Sequence, residues 1–298
     1  MYVLTLLASV SLYSASQVNA ELVASSTDYR MWCVGNCSPA SDVQTDTVPG
    51  AVLMGGGTDT NEAFAWQIQH ANGGDFVVLR SSGDDAYNDY IFDMSIAIGH
   101  KLNSVTTILF KRAKGAEEEE VLTALRNAEA VFFAGGDQGE YIEFWRDTEV
   151  QQIVQSKVNT TTIGGTSAGL AILGNWVYTA EDGSAVSDEC LQDPFNKYTH
   201  YFESAFLRIP FMDSIVTDTH FVTRNRMGRM LTFMARIRSE NALSVGEVSR
   251  GVGVDEHTAL LLDTITGDVA AVGVGTAYVC STDHDAELCV AETPLTFH

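Results

Sequence analysis

The chain has 298 residues, 45% of them hydrophobic, with 17 Lys+Arg against 39 Asp+Glu. The formal charge of −22 argues against a nucleic-acid partner, because phosphate binding needs a basic surface. The length is enough for one α/β domain with a sizeable core.

Residues 1–20 predict a secretory signal peptide. Residues 2–8 are mostly apolar, and Val18-Asn19-Ala20 ends in a small residue suited to a cleavage site. This core is too short and too polar for a membrane span, which takes about 20 apolar residues, and no other stretch qualifies. We therefore expect a secreted protein. Two sequons then become candidates for glycosylation, Asn36 and, more favourably, Asn159.

The five cysteines fit export into an oxidising compartment. Cys33 and Cys37 are close in sequence, and Cys280 and Cys289 flank a polar C-terminal turn. Two local disulfides are expected, with Cys190 left over. Sequence alone leaves the pairing open, and five reduced thiols in a cytosolic protein are the alternative.

Residues 21–48 are polar, and we interpret them as an extension outside the core. Residues 49–298, which show no repeat or linker, are expected to form a single domain. Strands are predicted at 51–54, 76–80, 105–110, 130–134, 161–164 and 214–217. Helices are predicted at 61–70, 116–127 and 139–145. This alternation indicates the α/β class, with a mostly parallel sheet and helices on both faces. Strands are also predicted at 251–254, 259–262 and 269–272, forming antiparallel hairpins with one turn at 264–268.

Residues 165–169 have the G-x-S-x-G pattern of a nucleophile elbow. They follow a β-branched run and precede an apolar one, as a strand and a helix should flank such a turn. Small neighbours allow the sharp turn that exposes the Ser167 hydroxyl. The Ala168 N–H would then face a developing oxyanion. A glycine-rich turn with an incidental serine is the alternative. The run Gly55-Gly56-Gly57 lacks a Walker lysine and is interpreted as a tight turn lining the pocket.

A nucleophilic serine needs a base and an orienting acid. His220 ends an apolar run, and open α/β sheets bind ligands at the ends of their strands. An acidic cluster at Glu181 and Asp182 lies between Ser167 and His220, which predicts the chain order serine, acid, histidine. Asp218 and His220 have no evident third ligand, so neither a metal nor an organic cofactor is expected.

Three arginines follow the proposed base: Arg224, Arg226 and Arg229. In so acidic a chain they reverse the local sign of the charge. Planar guanidinium groups suit bidentate carboxylate recognition, which predicts a carboxylate-bearing substrate. A solvated helix face is the alternative.

These motifs resemble the cyanophycinase and dipeptidase E family of serine peptidases. The likeness runs from about Pro49 to the C-terminus in five ordered blocks: 52–57, 76–83 with 86–88, 132–138, 165–169, and 218–221 with its arginines. The resemblance implies a flavodoxin-like fold, similar to class I glutamine amidotransferases. It also implies a Ser-His-acid peptidase that acts on peptides containing aspartate.

The resemblance also assigns roles to single residues. Ser167 would be the nucleophile and His220 the base. The backbone around Gly136 would join the Ala168 N–H in the oxyanion hole. The substrate pocket would be lined by Gln138, Asp218, Arg224, Arg226 and Arg229.

Two positions depart from the resemblance or leave it open. Thr219 stands where cyanophycinases usually carry Gln, which shortens a pocket group and puts cyanophycin itself in question as the substrate. Asp182 has the spacing of the acid in the dipeptidase branch, with Glu181 and Glu189 as alternatives.

We therefore expect a secreted serine exopeptidase that cleaves aspartyl or β-aspartyl bonds in a small peptide or a cyanophycin-like substrate. A homodimer is left open. One alternative is an α/β-hydrolase esterase, although those enzymes usually place the acid further along the chain. The other is a catalytically inactive secreted protein that binds acidic peptides.

Overall fold

The computed structural model describes residues 19–199, 201–202, 205–240 and 247–298. All but the last two residues of the predicted signal peptide lie outside these ranges. The strands are β1 Glu21–Ser25, β2 Tyr29–Gly35, β3 Gly50–Met54, β4 Asp75–Arg80, β5 Ser104–Phe110, β6 Ala128–Phe133, β7 Thr162–Thr166, β8 Val177–Tyr178, β9 Tyr201–Phe202, β10 Ile215–Asp218, β11 Ser249–Val254, β12 Thr258–Leu262, β13 Val269–Gly273 and β14 Ala277–Thr282. The helices are α1 Asn61–Ala71, α2 Ala86–Ala97, α3 Glu119–Asn127, α4 Gln138–Trp145, α5 Glu149–Lys157, α6 Ala168–Ala171, α7 Ser187–Gln192 and α8 Met227–Ser239.

A nine-stranded sheet forms the centre of the molecule, in the order β1-β2-β5-β4-β6-β7-β3-β12-β13. Its five middle strands, β5 to β3, are parallel, and the two strands at each edge are antiparallel. The predicted α/β class with a mostly parallel sheet is confirmed. The β12–β13 hairpin was also predicted, and its turn is closed by the Gly267 N–H, which donates to the Asp263 carbonyl at 2.8 Å.

Helices cover both faces of the sheet because successive residues of its strands point to opposite sides. In β4, Val77 and Leu79 pack into a core that contains residues of α3, α4 and α5. Phe76 and Val78, on the other face, pack into a core with residues of α1 and α2. Strands buried on both sides are continuously apolar, as parallel strands in α/β proteins are.

The carboxyl ends of β3, β4, β6 and β7 lie at one edge of the sheet, where open α/β sheets bind ligands. A three-stranded sheet, β10-β11-β14, lies beside this edge. The His220 N–H donates to the Gly55 carbonyl at 2.7 Å, and the Phe221 N–H donates to the Val254 carbonyl at 3.3 Å. The small sheet is thereby tied to the end of β3.

The interpretation of residues 21–48 as an extension outside the core is wrong for its first part. β1 and β2 extend the central sheet, with β2 antiparallel to β5. Tyr29, Cys33 and Val34 are buried. Polar residues in the turn before β2 and at 36–48 lower the average hydrophobicity of the segment, and this average concealed the apolar strand β2.

Of the two expected disulfides, the structure contains one. Cys33 and Cys37 are bonded, with their Cα atoms 5.8 Å apart. Cys280 and Cys289 are both free thiols, so the second predicted pair is not formed. The Cys280 thiol lies 3.7 Å from the Met227 sulfur. Cys190 is free and buried.

In the described ranges, no helix is long and apolar enough to cross a bilayer.

Candidate active site

Ser167 lies in the turn between β7 and α6. Its backbone has φ 52° and ψ −116°, a conformation that residues with a side chain rarely adopt. Its N–H donates to the Met54 carbonyl at 3.1 Å. The turn depends on the glycine two residues later, because a Cβ at Gly169 would lie 2.0 Å from the Phe133 carbonyl oxygen. The strand, turn and helix predicted around Ser167 are therefore present.

His220 follows β10 and also has a positive φ, of 45°. Its Nε2 lies 2.8 Å from the Ser167 Oγ. The ring packs directly on Gly56, where a Cβ would come within 2.5 Å of the ring carbon Cε1. Gly56 also has a φ of 101°, so both the space and the backbone favour glycine there. The glycine run after β3 thus forms a turn that holds the histidine.

The carboxylate that contacts His220 belongs to Glu256, not to Asp182. Glu256 Oε1 lies 2.6 Å from His220 Nδ1. Glu256 lies between β11 and β12, where the chain returns from the small sheet to the central one. Asp182 and the two alternatives, Glu181 and Glu189, are exposed residues of the segment after β8. The observed order is serine, histidine, acid, which corrects the predicted order.

The surroundings of His220 favour its neutral form. Burial lowers the pKa of His220, and the hydrogen bond that His220 donates to Glu256 opposes that effect. The positive charges of Arg224 and Arg226 lower the pKa of His220 further. A neutral imidazole that donates from Nδ1 to Glu256 has Nε2 free to accept the Ser167 proton.

This arrangement predicts how Arg224→Met changes the pH profile. In a serine-peptidase mechanism His220 would have to be neutral to accept the Ser167 proton, so kcat/KM should be retained above the pKa of His220 and lost as the pH falls through it. Removing the Arg224 charge should raise that pKa and move the acid limb to higher pH. Because Arg224 is exposed, added salt should shrink the difference. Arg30→Met, at an exposed position of β2, is the control and should leave the profile unchanged. An acid limb that stays in place in Arg224→Met would contradict the expectation.

A cavity of about 330 Å³ opens beside Ser167 and His220. It contains two guanidinium groups, those of Arg80 and Arg224. Its other lining residues are Gly56, Gly57, Asp59, Tyr87, Gly135 and Thr166. The Tyr87 hydroxyl donates to Asp59 Oδ2 at 2.6 Å. Burial raises the pKa of both groups. Sequence reasoning assigned no role to Asp59, Arg80 or Tyr87, although Arg80 and Tyr87 lie in a block that carries the family resemblance.

Arg226 and Arg229 do not line this cavity, which corrects their predicted role. Arg229 is 2% exposed and forms a two-point ion pair with Asp218, including Nε to Oδ2 at 2.7 Å. Arg226 Nη1 donates to the Thr219 carbonyl at 2.8 Å. Asp218 and Thr219 are themselves buried. These four residues therefore satisfy one another inside the protein, and only Arg224 of the three arginines reaches the cavity.

In the 132–138 block, the residue that lines the cavity is not one of the two predicted site residues, Gly136 and Gln138. Gly135 lines the cavity, whereas Gly136 is exposed and lies over the Tyr141 hydroxyl. Gln138 is the first residue of α4, whose start is capped by the Asp137 side chain. Ala168 is buried at the start of α6, directly after Ser167.

Because Arg229 is part of a buried ion pair, Arg229→Met is expected to destabilise the protein. Removing one partner leaves the Asp218 charge buried, which costs about 3–5 kcal/mol. We expect the lower end, about 3 kcal/mol, because Arg226 still lies 3.4 Å from Asp218. Urea unfolding followed by circular dichroism measures the loss. Arg224→Met, at an exposed position, should change the free energy of unfolding by less than about 0.5 kcal/mol. Equal effects in the two variants would contradict a structural role for Arg229.

Comparison with known proteins finds a family model and relatives that match the chain. Peptidase family S51 matches residues 82–268. The cyanophycinase of Trichormus variabilis is 28% identical over 188 residues, which cover 61% of this chain and 56% of that protein. The cyanophycinase of Synechococcus elongatus is 25% identical over 217 residues, covering 71% and 60%. The matches thus span less than two thirds of either relative.

A solved structure shows the same fold. The crystal structure of a peptidase from an acI-B1 Actinobacterium has a TM-score of 0.54 and 15% sequence identity, covering 83% of this chain and 98% of its own. The family match extends over more than half of the 298 residues and includes Ser167, His220 and Glu256. The chain belongs to Peptidase family S51.

Proposed function

We propose that the protein is a serine peptidase with a triad of Ser167, His220 and Glu256. The proposal rests on one observation, the chain of contacts from Ser167 Oγ to His220 Nε2 at 2.8 Å and from His220 Nδ1 to Glu256 Oε1 at 2.6 Å. In this mechanism Ser167 Oγ attacks the scissile carbonyl as its proton passes to Nε2. Glu256 fixes the imidazole tautomer and stabilises the imidazolium that forms. His220 then gives the proton to the leaving amine, and water hydrolyses the acyl-enzyme.

The oxyanion is proposed to bind backbone N–H groups at the two turns beside Ser167. One is the Ala168 N–H, which follows the nucleophile at the start of α6. The other lies at Gly135–Gly136, where a Cβ on Gly135 would be 3.6 Å from the Ser167 Cβ. Donors held by the backbone need no reorganisation as negative charge develops, which favours the transition state.

The proposed substrates are small peptides with aspartyl or β-aspartyl bonds, cleaved by exopeptidase action. The cavity of about 330 Å³ is at the small end of the range for ligand sites. Its two guanidinium groups suit a carboxylate. The relatives named as cyanophycinases agree with aspartate-containing substrates. Thr219 stands where cyanophycinases usually carry Gln, and its side chain is buried against Arg226. Whether cyanophycin itself is a substrate is therefore a question for experiment.

Secretion is part of the same proposal. The apolar leader at residues 1–20 supports it, and so does the Cys33–Cys37 disulfide, because disulfides persist in oxidising compartments. Asn159 is exposed and could carry a glycan. Expression in a secretory host, followed by N-terminal sequencing of the protein in the medium, tests this part. Cleavage after Ala20 is the expected result, and retention of an intact leader inside the cell would contradict it.

The substrate proposal is tested with a panel of α-aspartyl dipeptides, β-aspartyl dipeptides and cyanophycin, with products identified by mass spectrometry. We expect release of aspartate or of an aspartyl fragment from at least one member. Hydrolysis of simple esters without any peptide cleavage would favour the esterase alternative. Binding of the peptides without turnover would favour the inactive binding protein.

A further inference from the structure

Arg80 is held in a defined position at the edge of the cavity. It is the last residue of β4, and its side chain bends back over the loop that follows. Its Nη1 donates to the Asp84 carbonyl at 2.7 Å, and its Nε donates to the Ser82 carbonyl. The guanidinium passes so close to Gly83 that a Cβ there would be 2.1 Å from Nη2. These contacts leave donors of the guanidinium free to bind another group.

The charge of Arg80 lacks an ion-pair partner within the part of the chain that the structure describes. The same is true of Arg224, the second guanidinium of the cavity. Arg226 and Arg229, in contrast, pair with Asp218. The carboxylate in the cavity lining, Asp59, accepts a hydrogen bond from Tyr87 and interacts with the charge of Arg80 without forming an ion pair with it. An anionic group of a ligand would complete this part of the cavity.

We propose that Arg80 is a specificity-determining residue that binds a carboxylate of the substrate, with Arg224 lining the same cavity. This proposal rests on the peptidase function proposed above and identifies the residue that selects an aspartyl group. In α-aspartyl and β-aspartyl peptides alike, three carbon–carbon bonds of about 1.5 Å separate the scissile carbonyl from the free carboxylate. Arg80 would therefore accept both linkages and reject the corresponding amide.

The sheet places Arg80 at a suitable distance from the nucleophile. β4 and β7 are separated by β6 alone, and neighbouring strands lie about 4.8 Å apart. The Cα atoms at the two strand ends are therefore about 10 Å apart. The arginine side chain and a short acidic acyl group together span that separation. The Ala134 N–H donates to the Leu79 carbonyl at 3.0 Å and keeps the ends of β4 and β6 aligned.

Tyr87 supports the guanidinium from α2. The Arg80 Cζ lies 5.6 Å from the centroid of the Tyr87 ring, within the range of a cation–π contact. The Tyr87 hydroxyl is fixed in turn by its hydrogen bond to Asp59 at 2.6 Å. Tyr87 is thus a positioning residue. Tyr87→Phe keeps the ring but frees it from Asp59, and should weaken carboxylate selection less than loss of Arg80 does.

The test measures binding in the Ser167→Ala background, where turnover should be too slow to disturb the titration. Isothermal titration calorimetry compares the dipeptide Asp-Leu with Asn-Leu, which replaces the carboxylate by an amide. β-Aspartyl-leucine is compared in the same way with its α-amide. We expect each acid to bind about 30-fold or more tightly than its amide, as for a charged pair in a desolvated site. Arg80→Met should reduce this ratio to below about threefold, and Arg80→Lys should give an intermediate ratio, because it keeps the charge but loses the planar fork.

Arg30→Met removes the same charge from an exposed position of β2 and should leave the acid-to-amide ratio unchanged. Because the ratio compares two ligands on one protein sample, an unfolded fraction does not alter it. A ratio near one in the Ser167→Ala protein, or an unchanged ratio in Arg80→Met, would overturn the proposal. Failure of the peptidase function would be detected by a separate experiment on the parent protein, in which a fluorophosphonate would not label Ser167. Labelling with no acid selection would leave the peptidase function in place and refute the role of Arg80.

Discussion

Ser167→Ala and His220→Ala are each expected to lower kcat on an aspartyl dipeptide by about 10⁴- to 10⁶-fold, and the double variant little further. Nucleophile and base act as one unit, so removing either removes most of what both contribute. The 2.8 Å contact between Ser167 Oγ and His220 Nε2 is the physical basis. Initial rates at saturating substrate, measured on all three variants, test the expectation.

His257 provides a matched control for His220. It is an exposed histidine next to Glu256, with its N–H bound to the Gly56 carbonyl at 3.0 Å. His257→Ala should cost less than about tenfold, because the imidazole itself contacts none of the proposed triad groups. Substantial activity in Ser167→Ala, or additive losses in the double variant, would show that the two residues do not work together.

Glu256→Gln is expected to lower kcat by about 10³- to 10⁴-fold, while Asp182→Asn stays within about threefold of the parent. Glutamine preserves the shape of the side chain but removes the charge that stabilises the imidazolium. The Glu256 hydrogen bond also raises the pKa of His220, so Glu256→Gln should move the acid limb of the remaining activity to lower pH. Rates and pH profiles of both variants supply the measurement.

Glu181→Gln and Glu189→Gln extend this comparison to the other acids weighed from the sequence. Both residues are exposed, and neither should change kcat by more than about threefold. A large loss in Asp182→Asn, together with a small one in Glu256→Gln, would contradict the observed contact and restore the predicted acid.

The turn that carries the proposed nucleophile could be predicted because its signal lies in consecutive residues. An elbow needs a strand, small residues and a helix start side by side, and residues 160–173 supply all three. His220 was predictable for a related reason. It follows the predicted strand 214–217, and ligands bind at the edge of the sheet where parallel strands end. Local patterns of this kind do not depend on how distant segments meet.

Glu256 could not be deduced in the same way. It lies 36 positions after His220 and reaches it only because β11 joins the small sheet before β12 returns to the central one. A local signal was nevertheless present. Glu256 lies between two predicted strands, 251–254 and 259–262, so an acid at the end of a strand deserved the same weight as the cluster near Asp182.

The arginines show the limit of an argument from net charge. Arg229 lies on the buried face of α8, where its charge compensates Asp218 rather than a ligand. Sequence shows that three cations cluster, but not which of them face the core. Arg80 was not predicted as a site residue because it is a single basic residue at the end of an apolar strand, with no other basic residue next to it in the sequence.

The N-terminal hairpin illustrates a different difficulty. β1 and β2 lie at the edge of the sheet, and β2 is mostly apolar, but the polar residues of the turn between them and of residues 36–48 give the whole segment a polar mean composition. Edge strands need only one apolar face, and a short one leaves few residues from which to read a period. The disulfide between Cys33 and Cys37 lies at the end of this hairpin, close to the start of β5.

The most direct test of a serine peptidase at this site is reaction of the folded protein with a fluorophosphonate, followed by peptide mapping by mass spectrometry. The reagent bonds to a serine oxygen that an adjacent base has activated. The structure predicts one adduct, on Ser167, formed at a similar rate in the parent and in Asp182→Asn, and lost in His220→Ala. An adduct on another serine, or an unmodified Ser167 in protein shown to be folded, would contradict the assignment.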